Sequence, residues 1–275
     1  MAREVGLSPV GRRAARRGGA LAALGRTRAS GFALVVLLLV LWELSARLGW
    51  VQSRNWPPFS AILVATWHGL LSGEVSSLLA GSLARMVAGY AIGSLLGIAF
   101  GLCLASVRTL DRLVTPLIEA VRPLPIPAII PPLILFLGLG DALKIFAVAL
   151  SSFFPVFVNS FGGVKSVDAV LIQTARTFRV GPVRTLLKVV LPAALPSILA
   201  GLRISLALAL VVTVVAEMIA GSSGIGYYII LTQYALKADA MYGAILCLAV
   251  IGYALNRGFI AFERRLLPWY HARER

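Results

Sequence analysis

The sequence predicts an all-α integral membrane protein that crosses the bilayer six times. Of its 275 residues, 59% are hydrophobic and 13% are charged, and the mean hydropathy is +0.89, far above that of soluble domains. The apolar residues fall into runs of roughly 20, the length that a helix needs to cross the hydrocarbon core. Short connectors, either basic or rich in turn-forming residues, separate these runs.

The basic residues predict which side of the membrane each connector occupies. The formal net charge is +15, but the arginines and lysines lie in the tails and connectors rather than on one folded face, which argues against nucleic acid as a partner. By the positive-inside rule both termini, the connector after the second span and the segment after the fourth are cytoplasmic. The opposite side has only Arg54, Lys144 and Lys237 clear of the apolar runs.

The N-terminal tail is rich in arginine and resembles the first part of a signal peptide or a twin-arginine signal. No A-x-A cleavage site follows, and the apolar run after it is the first of several, so we expect an uncleaved tail. The chain then divides into a cytoplasmic tail (1–29), a membrane domain (30–265) and a second cytoplasmic tail (266–275).

The first span is Gly31 to Trp50. Glu43 and Arg47 lie four residues apart near its end, so they can pair on one face of the helix. Pro57-Pro58 then breaks the chain, and Phe59 to Leu71 is expected to form a partly amphipathic helix outside the membrane.

The second span, Ser82 to Ala105, carries glycines at a strict spacing of four. These are Gly89, Gly93, Gly97 and Gly101. They form a strip without side chains along one helical face, which lets another helix approach closely in lipid. We interpret the strip as a packing seam, and a pore lining is the alternative.

The third run is crowded with prolines, each of which removes a helical hydrogen bond. Broken backbone at membrane depth is tolerated where it borders a wet cavity, so this run is a candidate wall of a translocation path. Its candidate residues are Arg122, Pro123, Pro125, Pro127 and Pro131. In the alternative, Pro116 to Pro127 lies at the cytoplasmic interface and the span starts near Ala128.

The rest of the chain supplies three more spans and one short outer helix. Lys144, after a tight turn at Gly138 to Asp141, is expected to extend its amine to the membrane interface. The expected ranges are Ala142 to Val158 for the fourth span, Leu195 to Ala220 for the fifth, Tyr227 to Leu236 for the outer helix, and Ala240 to Phe259 for the sixth.

Glu217 is an acid deep in the fifth span. An ionisable residue inside the membrane is a functional candidate, so Glu217 joins the candidate translocation path. A structural partner on another helix, or exposure at the outer mouth, explains it equally well. Arg203 lies fourteen residues earlier, too far along the same helix to be that partner.

No catalytic, metal or cofactor site is predicted for this chain. It lacks the G-x-x-x-x-G-K-[ST] phosphate loop, and its two histidines, His68 and His271, are isolated in the sequence. Cys103 and Cys247 lie inside apolar runs, where we expect reduced, buried thiols. Active transport would therefore require a separate motor protein.

Asp168 to Pro192, here called the coupling segment, is a basic amphipathic stretch between the fourth and fifth spans. It is expected to form two short helices, Gln173 to Phe178 and Val183 to Val190, with the bend at Gly181-Pro182. Apolar side chains bordered by arginines are typical of a helix that lies in a groove on a partner. The same residues would also suit an anionic lipid surface.

The coupling segment resembles the EAA loop of binding-protein-dependent ABC importer permeases. That loop reads E-A-A, then Gly four residues after the last Ala, then I-x-L-P. Gln173, Thr174 and Ala175 stand at E-A-A, Val189, Leu191 and Pro192 stand at I, L and P, and Arg179 stands at the glycine. The residues assigned to ATPase coupling through this resemblance are Gln173, Thr174, Ala175, Arg176, Phe178, Arg179, Gly181, Pro182, Leu186 and Leu187.

The similarity extends over roughly residues 39–269. GLGDALKIF, FFPVFVNSFGGVKSVD, LPAALPSILAGLRISLAL and AEMIAGSSGIGY resemble the nitrate, sulfonate and taurine branch, above all aliphatic sulfonate permeases. The resemblance implies the type I ABC importer fold in a bacterial inner membrane and import of a small oxyanion by alternating access. It also implies a homodimer, a cytoplasmic ATPase dimer that holds ATP and Mg, and an extracytoplasmic solute-binding protein. A stand-alone channel or an ion-coupled secondary transporter is the alternative.

Overall fold

The computed structural model describes residues 28–53 and 55–268, and within these ranges every regular element is helical. The predicted tails therefore lie almost wholly outside the described residues. The helices are α1 (Arg28–Arg47), α2 (Phe59–Leu71), α3 (Glu74–Ser106), α4 (Arg108–Val121), α5 (Ile126–Leu137), α6 (Asp141–Lys165), α7 (Ala169–Thr177), α8 (Pro182–Thr185), α9 (Leu191–Ala220), α10 (Ile225–Tyr234) and α11 (Ala238–Leu266), with a π-helical turn, Leu186–Val190, between α8 and α9.

The chain divides into two compact units, residues 1–64 and 65–275. In the first unit the predicted Glu43–Arg47 pair is confirmed, with 2.6 Å between Arg47 Nε and Glu43 Oε1. The Glu43 carboxylate also accepts hydrogen bonds from the backbone amide and the hydroxyl of Ser60, at 3.0 and 2.8 Å. Trp42 stacks on Trp56 with 4.8 Å between ring centroids, which ties the chain after Trp50 back onto α1.

In the second unit α6 packs against α3 along the glycine strip, which confirms the packing seam. A Cβ added at Gly89 would lie 2.7 Å from the carbonyl oxygen of Ile145, and one at Gly97 would lie 2.8 Å from that of Phe153. A Cβ at Gly93 would fall on the carbonyl of Ala149. The contacted carbonyls on α6 repeat every four residues as the glycines do, so the two backbones run alongside each other at very short range.

The other face of α6 packs on α9 in the same way. A Cβ at Gly201 of α9 would lie 2.7 Å from the Cβ of Asn159, and one at Gly163 of α6 would lie 2.8 Å from the Cβ of Ser197. The central hydrophobic core draws on α3, α5, α6 and α9. Helices α3, α6 and α9 therefore pack together closely and fix the relative positions of the side chains that they carry.

The proline-rich run is broken, as predicted, but the break is sharp and short. Helix α4 contains Pro116, α5 starts at Ile126, and the two helix axes are bent by 96° at the residues between them. Within residues 28–53 and 55–268, four helices are long and apolar enough to cross a membrane, and the bent pair raises the number to five. The predicted six also includes α1, so six spans remains a prediction.

Helix bounds differ from the predicted spans mainly by extension. Helix α6 continues to Lys165, and α8, the π turn and α9 form one continuous helix over Pro182–Ala220. The short helix α10 is Ile225–Tyr234, whereas Tyr227 to Leu236 was predicted.

Both cysteines are free as expected, but the predicted burial holds only for Cys247. Cys103 is exposed because it lies on the face of α3 opposite the buried residues.

Candidate functional site

The coupling segment folds as two helices with defined ends. Asp168 caps α7, because its carboxylate accepts a hydrogen bond of 2.8 Å from the backbone amide of Val170. Pro182 occupies the first turn of α8, where its missing amide hydrogen costs nothing. The sequence therefore predicted both helices, but the first already begins at Ala169, and the second continues past Val190 to Ala220.

The bend between them is at Arg179, not at Gly181-Pro182 as predicted. Arg179 has a φ of +52°, the left-handed conformation that favours glycine, whereas Gly181 has an ordinary φ of −60°. The amide of Val180 donates to the carbonyl of Ala175 and the amide of Arg179 donates to that of Arg176, each at 2.9 Å. These two bonds form a Schellman motif, whose left-handed position normally holds glycine. Arg179 occupies it, in the place of the glycine of the EAA pattern.

Arg179→Gly is expected to stabilise the protein by about 0.5–1 kcal/mol, because a non-glycine residue in the left-handed region is strained. Thermal unfolding in detergent measures the change. Arg176→Gly, in the helical part of α7, is the matched control and should destabilise by about 1 kcal/mol. Equal destabilisation by both variants would contradict the strained turn.

The coupling segment exposes large apolar side chains together with arginines. Phe178 is 77% exposed, Val183 67% and Leu187 56%. Arg176 and Arg184 are exposed beside them. Not every residue assigned to coupling is free, because Ala175 is buried and Leu186 packs on the core cluster of Val164, Val190, Ala194 and Ile198. The exposed face is thus apolar with a basic border.

The far end of the same continuous helix carries Glu217 in a partly buried ionic cluster. We call Ser82, Arg85, Asp141, Lys144 and Glu217 the Glu217 cluster. The Glu217 carboxylate is fully buried and lies 2.5 Å from Nη1 of Arg85. It also accepts hydrogen bonds from the Ser82 hydroxyl at 2.8 Å and the Gly226 amide at 3.0 Å.

Arg85 connects three elements of the fold. Its Nε donates to Asp141 at the start of α6 at 2.7 Å, and its Nη2 donates to the Ser223 hydroxyl at 3.0 Å. Glu217 therefore has the structural partner on another helix that was one of the two explanations. Sequence reasoning missed Arg85, although an arginine within the second span was itself a signal.

Lys144 does not extend to the membrane interface as predicted. Its side chain is 1% exposed within the chain, and Nζ lies 3.5 Å from Oδ1 of Asp141. Asp141, three residues earlier on α6, provides the counter-charge that a buried cation requires.

The glycines after α9 allow the chain to close over Glu217. Gly224 has a φ of +109°, and a Cβ there would overlap the Glu217 carboxylate. A Cβ at Gly226 would lie 2.8 Å from the Cβ of Glu217. The G-S-S-G-I-G stretch is therefore a lid on the buried carboxylate and not a phosphate loop.

The candidate translocation residues do not form one group. Arg122 and Pro127 border a cavity between the α4–α5 bend, α6 and α9, with a volume of about 480 Å³. Pro123 and Pro125 lie in the bend and Pro131 lies inside α5. Glu217 does not line this cavity and is paired with Arg85 instead.

Helices that pack at very short range, a bend at a cavity and an exposed apolar face with a basic border fit a transport component of a membrane. The chain belongs to the family of binding-protein-dependent transport system inner membrane components, whose sequence profile matches residues 89–268. It is accordingly a multi-pass inner membrane protein, the permease component of an ABC importer.

Several relatives are similar over most of their length. The putative aliphatic sulfonates transport permease protein SsuC of Escherichia coli (strain K12) is 34% identical over 250 residues, which cover 90% of this chain and 95% of that protein. SsuC of Bacillus subtilis (strain 168) is 33% identical, with 89% and 88% covered. The taurine transport system permease protein TauC of Escherichia coli (strain K12) is 32% identical, with 62% of each chain covered.

The fold has a solved counterpart. A structure of inward-facing conformations of the MetNI methionine ABC transporter aligns with a TM-score of 0.60 and 20% identity, covering 70% of this chain and 95% of the other. At this identity the likeness shows the fold, the type I permease arrangement of helices, and nothing about the solute.

Proposed function

We propose that this chain imports a small oxyanion, such as an alkanesulfonate, as the non-catalytic permease subunit of its transporter. The SsuC and TauC relatives, which are named as aliphatic sulfonate and taurine transport permeases, support this solute class. Six spans, both termini in the cytoplasm and a cytoplasmic coupling segment complete the proposal. Six spans result when the four long apolar helices are counted together with α1 and with the bent pair as one span.

The proposed assembly contains two copies of this chain, two cytoplasmic ATPase subunits and an extracytoplasmic solute-binding protein. ATP and Mg would be held by the ATPase chains, since this sequence has no phosphate loop. The exposed apolar face of the coupling segment, with its basic border, fits a protein groove. The same face could instead rest on an anionic lipid surface. ATPase retention and hydrolysis measured without lipid vesicles separate these two alternatives.

The observation that carries the proposal is the continuity of the helix from Pro182 to Ala220. A continuous helix of 39 residues spans about 58 Å and connects the coupling segment to Glu217, so a displacement at one end can reach the other. Alternating access requires an element with two positions. The ATPase would shift the balance between these positions from one end, and the binding protein would shift it from the other.

Arg176→Glu with Arg184→Glu is expected to reduce ATP hydrolysis stimulated by the loaded binding protein at least tenfold. The reversed charges would border the apolar face where a groove on the ATPase is expected to bind. The measurement uses the purified complex in detergent, free of lipid vesicles, and follows both ATPase retention and hydrolysis.

Arg264→Glu with Arg265→Glu is the matched control, because both residues are exposed near the cytoplasmic end of α11. In this control variant the loaded binding protein should stimulate ATP hydrolysis as fully as in the wild type. Normal stimulation in the Arg176 and Arg184 variant would contradict docking by the coupling segment. Uptake by this chain alone, without any ATPase, would establish the channel or ion-coupled carrier instead.

A further inference from the structure

The cavity at the α4–α5 bend is open on one side, is lined mainly by apolar side chains and has one charged residue, Arg122. Arg122 lies at the bend, and Phe154 and Val158 of α6 face Ile204 and Leu208 of α9 across the space. About 480 Å³ is enough for a small organic molecule.

The cavity lies near the middle of two helices that are long and apolar enough to cross a membrane. Its residues on α6, from Ser151 to Asn159, lie in the middle and later part of the helix, about 15–27 Å from its start at a rise of about 1.5 Å per residue. Those on α9, from Ile204 to Val212, are also central. A molecule in the cavity would therefore be close to the mid-depth of the bilayer.

Arg122 has no counter-charge in the part of the chain that the structure describes. No ion pair or side-chain hydrogen bond joins it to residues 28–53 or 55–268. Arg85, the cation of α3, has two carboxylates by contrast. Arg122 is exposed within the chain and lines the cavity, so its guanidinium can pair with an anion that enters the cavity.

Two further groups near Arg122 favour an anion. The first turn of α5, at Ile126 and Pro127, faces the cavity and carries the partial positive charge of a helix N-terminus. The Asn159 amide donates one hydrogen to the carbonyl of Pro155 at 2.8 Å and retains a second.

The geometry points to a solute subsite in which Arg122 holds the anionic head group and the apolar wall of α6 and α9 holds a short carbon chain. The inference rests on the proposed function and specifies where the solute is bound during transport. A planar guanidinium pairs with two oxygens of a sulfonate at once, which a lysine cannot do.

The test is uptake of ethanesulfonate and pentanesulfonate by the complete complex, with its ATPase and binding protein, in neutral phosphatidylcholine vesicles. Arg122→Gln should reduce uptake of both at least tenfold, and Arg122→Lys should retain part of it. Hydrolysis stimulated by the binding protein should persist in both variants, because the coupling segment is unchanged. Arg112→Gln, an exposed arginine of α4 away from the cavity, should transport normally.

A wild-type complex that imports neither sulfonate would overturn the proposed solute class. Normal uptake by Arg122→Gln in an active system would overturn the subsite alone. If Arg122→Gln reduces sulfonate uptake only in vesicles that contain anionic lipid, Arg122 binds a lipid head group and the proposal is wrong.

A second variant leaves Arg122 in place, in case its replacement prevents assembly. Leu208→Phe narrows the apolar part of the cavity and should reduce pentanesulfonate uptake several-fold more than ethanesulfonate uptake. An unchanged ratio of the two rates would contradict a carbon chain bound between α6 and α9.

Discussion

Glu217→Ala is expected to destabilise the protein by about 3–5 kcal/mol, the usual cost of removing one partner from a buried ion pair. The substitution leaves the Arg85 guanidinium facing an uncharged interior, with Asp141 as its remaining carboxylate. It also removes the acceptor for the Ser82 hydroxyl and the Gly226 amide, so α3, α9 and α10 lose their common contact. Thermal and denaturant unfolding in detergent measure the loss.

Glu119→Ala is the control, because Glu119 is an exposed acid of α4. It should change stability by less than about 0.5 kcal/mol. The double variant Arg85→Ala with Glu217→Ala should be less destabilised than the sum of the two single variants, because no unpaired charge stays buried. Additive losses would show that the pair is not a coupled unit.

Gly93→Ala is expected to cost about 1–3 kcal/mol even though alanine is the better helix former. The new methyl group would fall on the carbonyl of Ala149, so α3 and α6 must separate. Separation would loosen the contacts of Gly89 and Gly97 as well, since the strip packs as one surface. The midpoint of thermal unfolding, with recovery of the monodisperse complex, reports the effect.

Gly162→Ala makes the same chemical change on α6 at a position where an added Cβ meets nothing within 4 Å. This control should leave stability unchanged or raise it by up to about 1 kcal/mol. If the two alanine variants behave alike, the short distance between α3 and α6 does not depend on glycine.

Local signals in the sequence predicted the features that depend on near neighbours. The Glu43–Arg47 pair follows from a spacing of four, and the seam follows from glycines on one face of α3. Residues that end or begin helices locally predict the breaks at the prolines. They also predict the two helices of the coupling segment. None of these required knowledge of which helices touch.

Contacts between distant residues could not be predicted in the same way. Arg85 and Glu217 are 132 positions apart, and only the packing of α3 on α9 brings their charges together. The burial of Lys144 could not be predicted either, because it depends on how α6 packs against the other helices. The bend at Arg179 was misplaced because a Schellman motif depends on backbone hydrogen bonds that residue type indicates only weakly.

The sequence alone therefore determined that the chain is an integral membrane protein, where its glycine seam lies and where the coupling segment lies, since hydropathy and helix-breaking residues act over one or two turns. The tertiary structure decided what Glu217 is paired with, why glycines surround it, and that Arg122 lines a cavity with no counter-charge among residues 28–53 and 55–268. The physical reason is that a buried charge is governed by whichever distant side chain lies within a few ångströms of it, and only the folded chain specifies that neighbour.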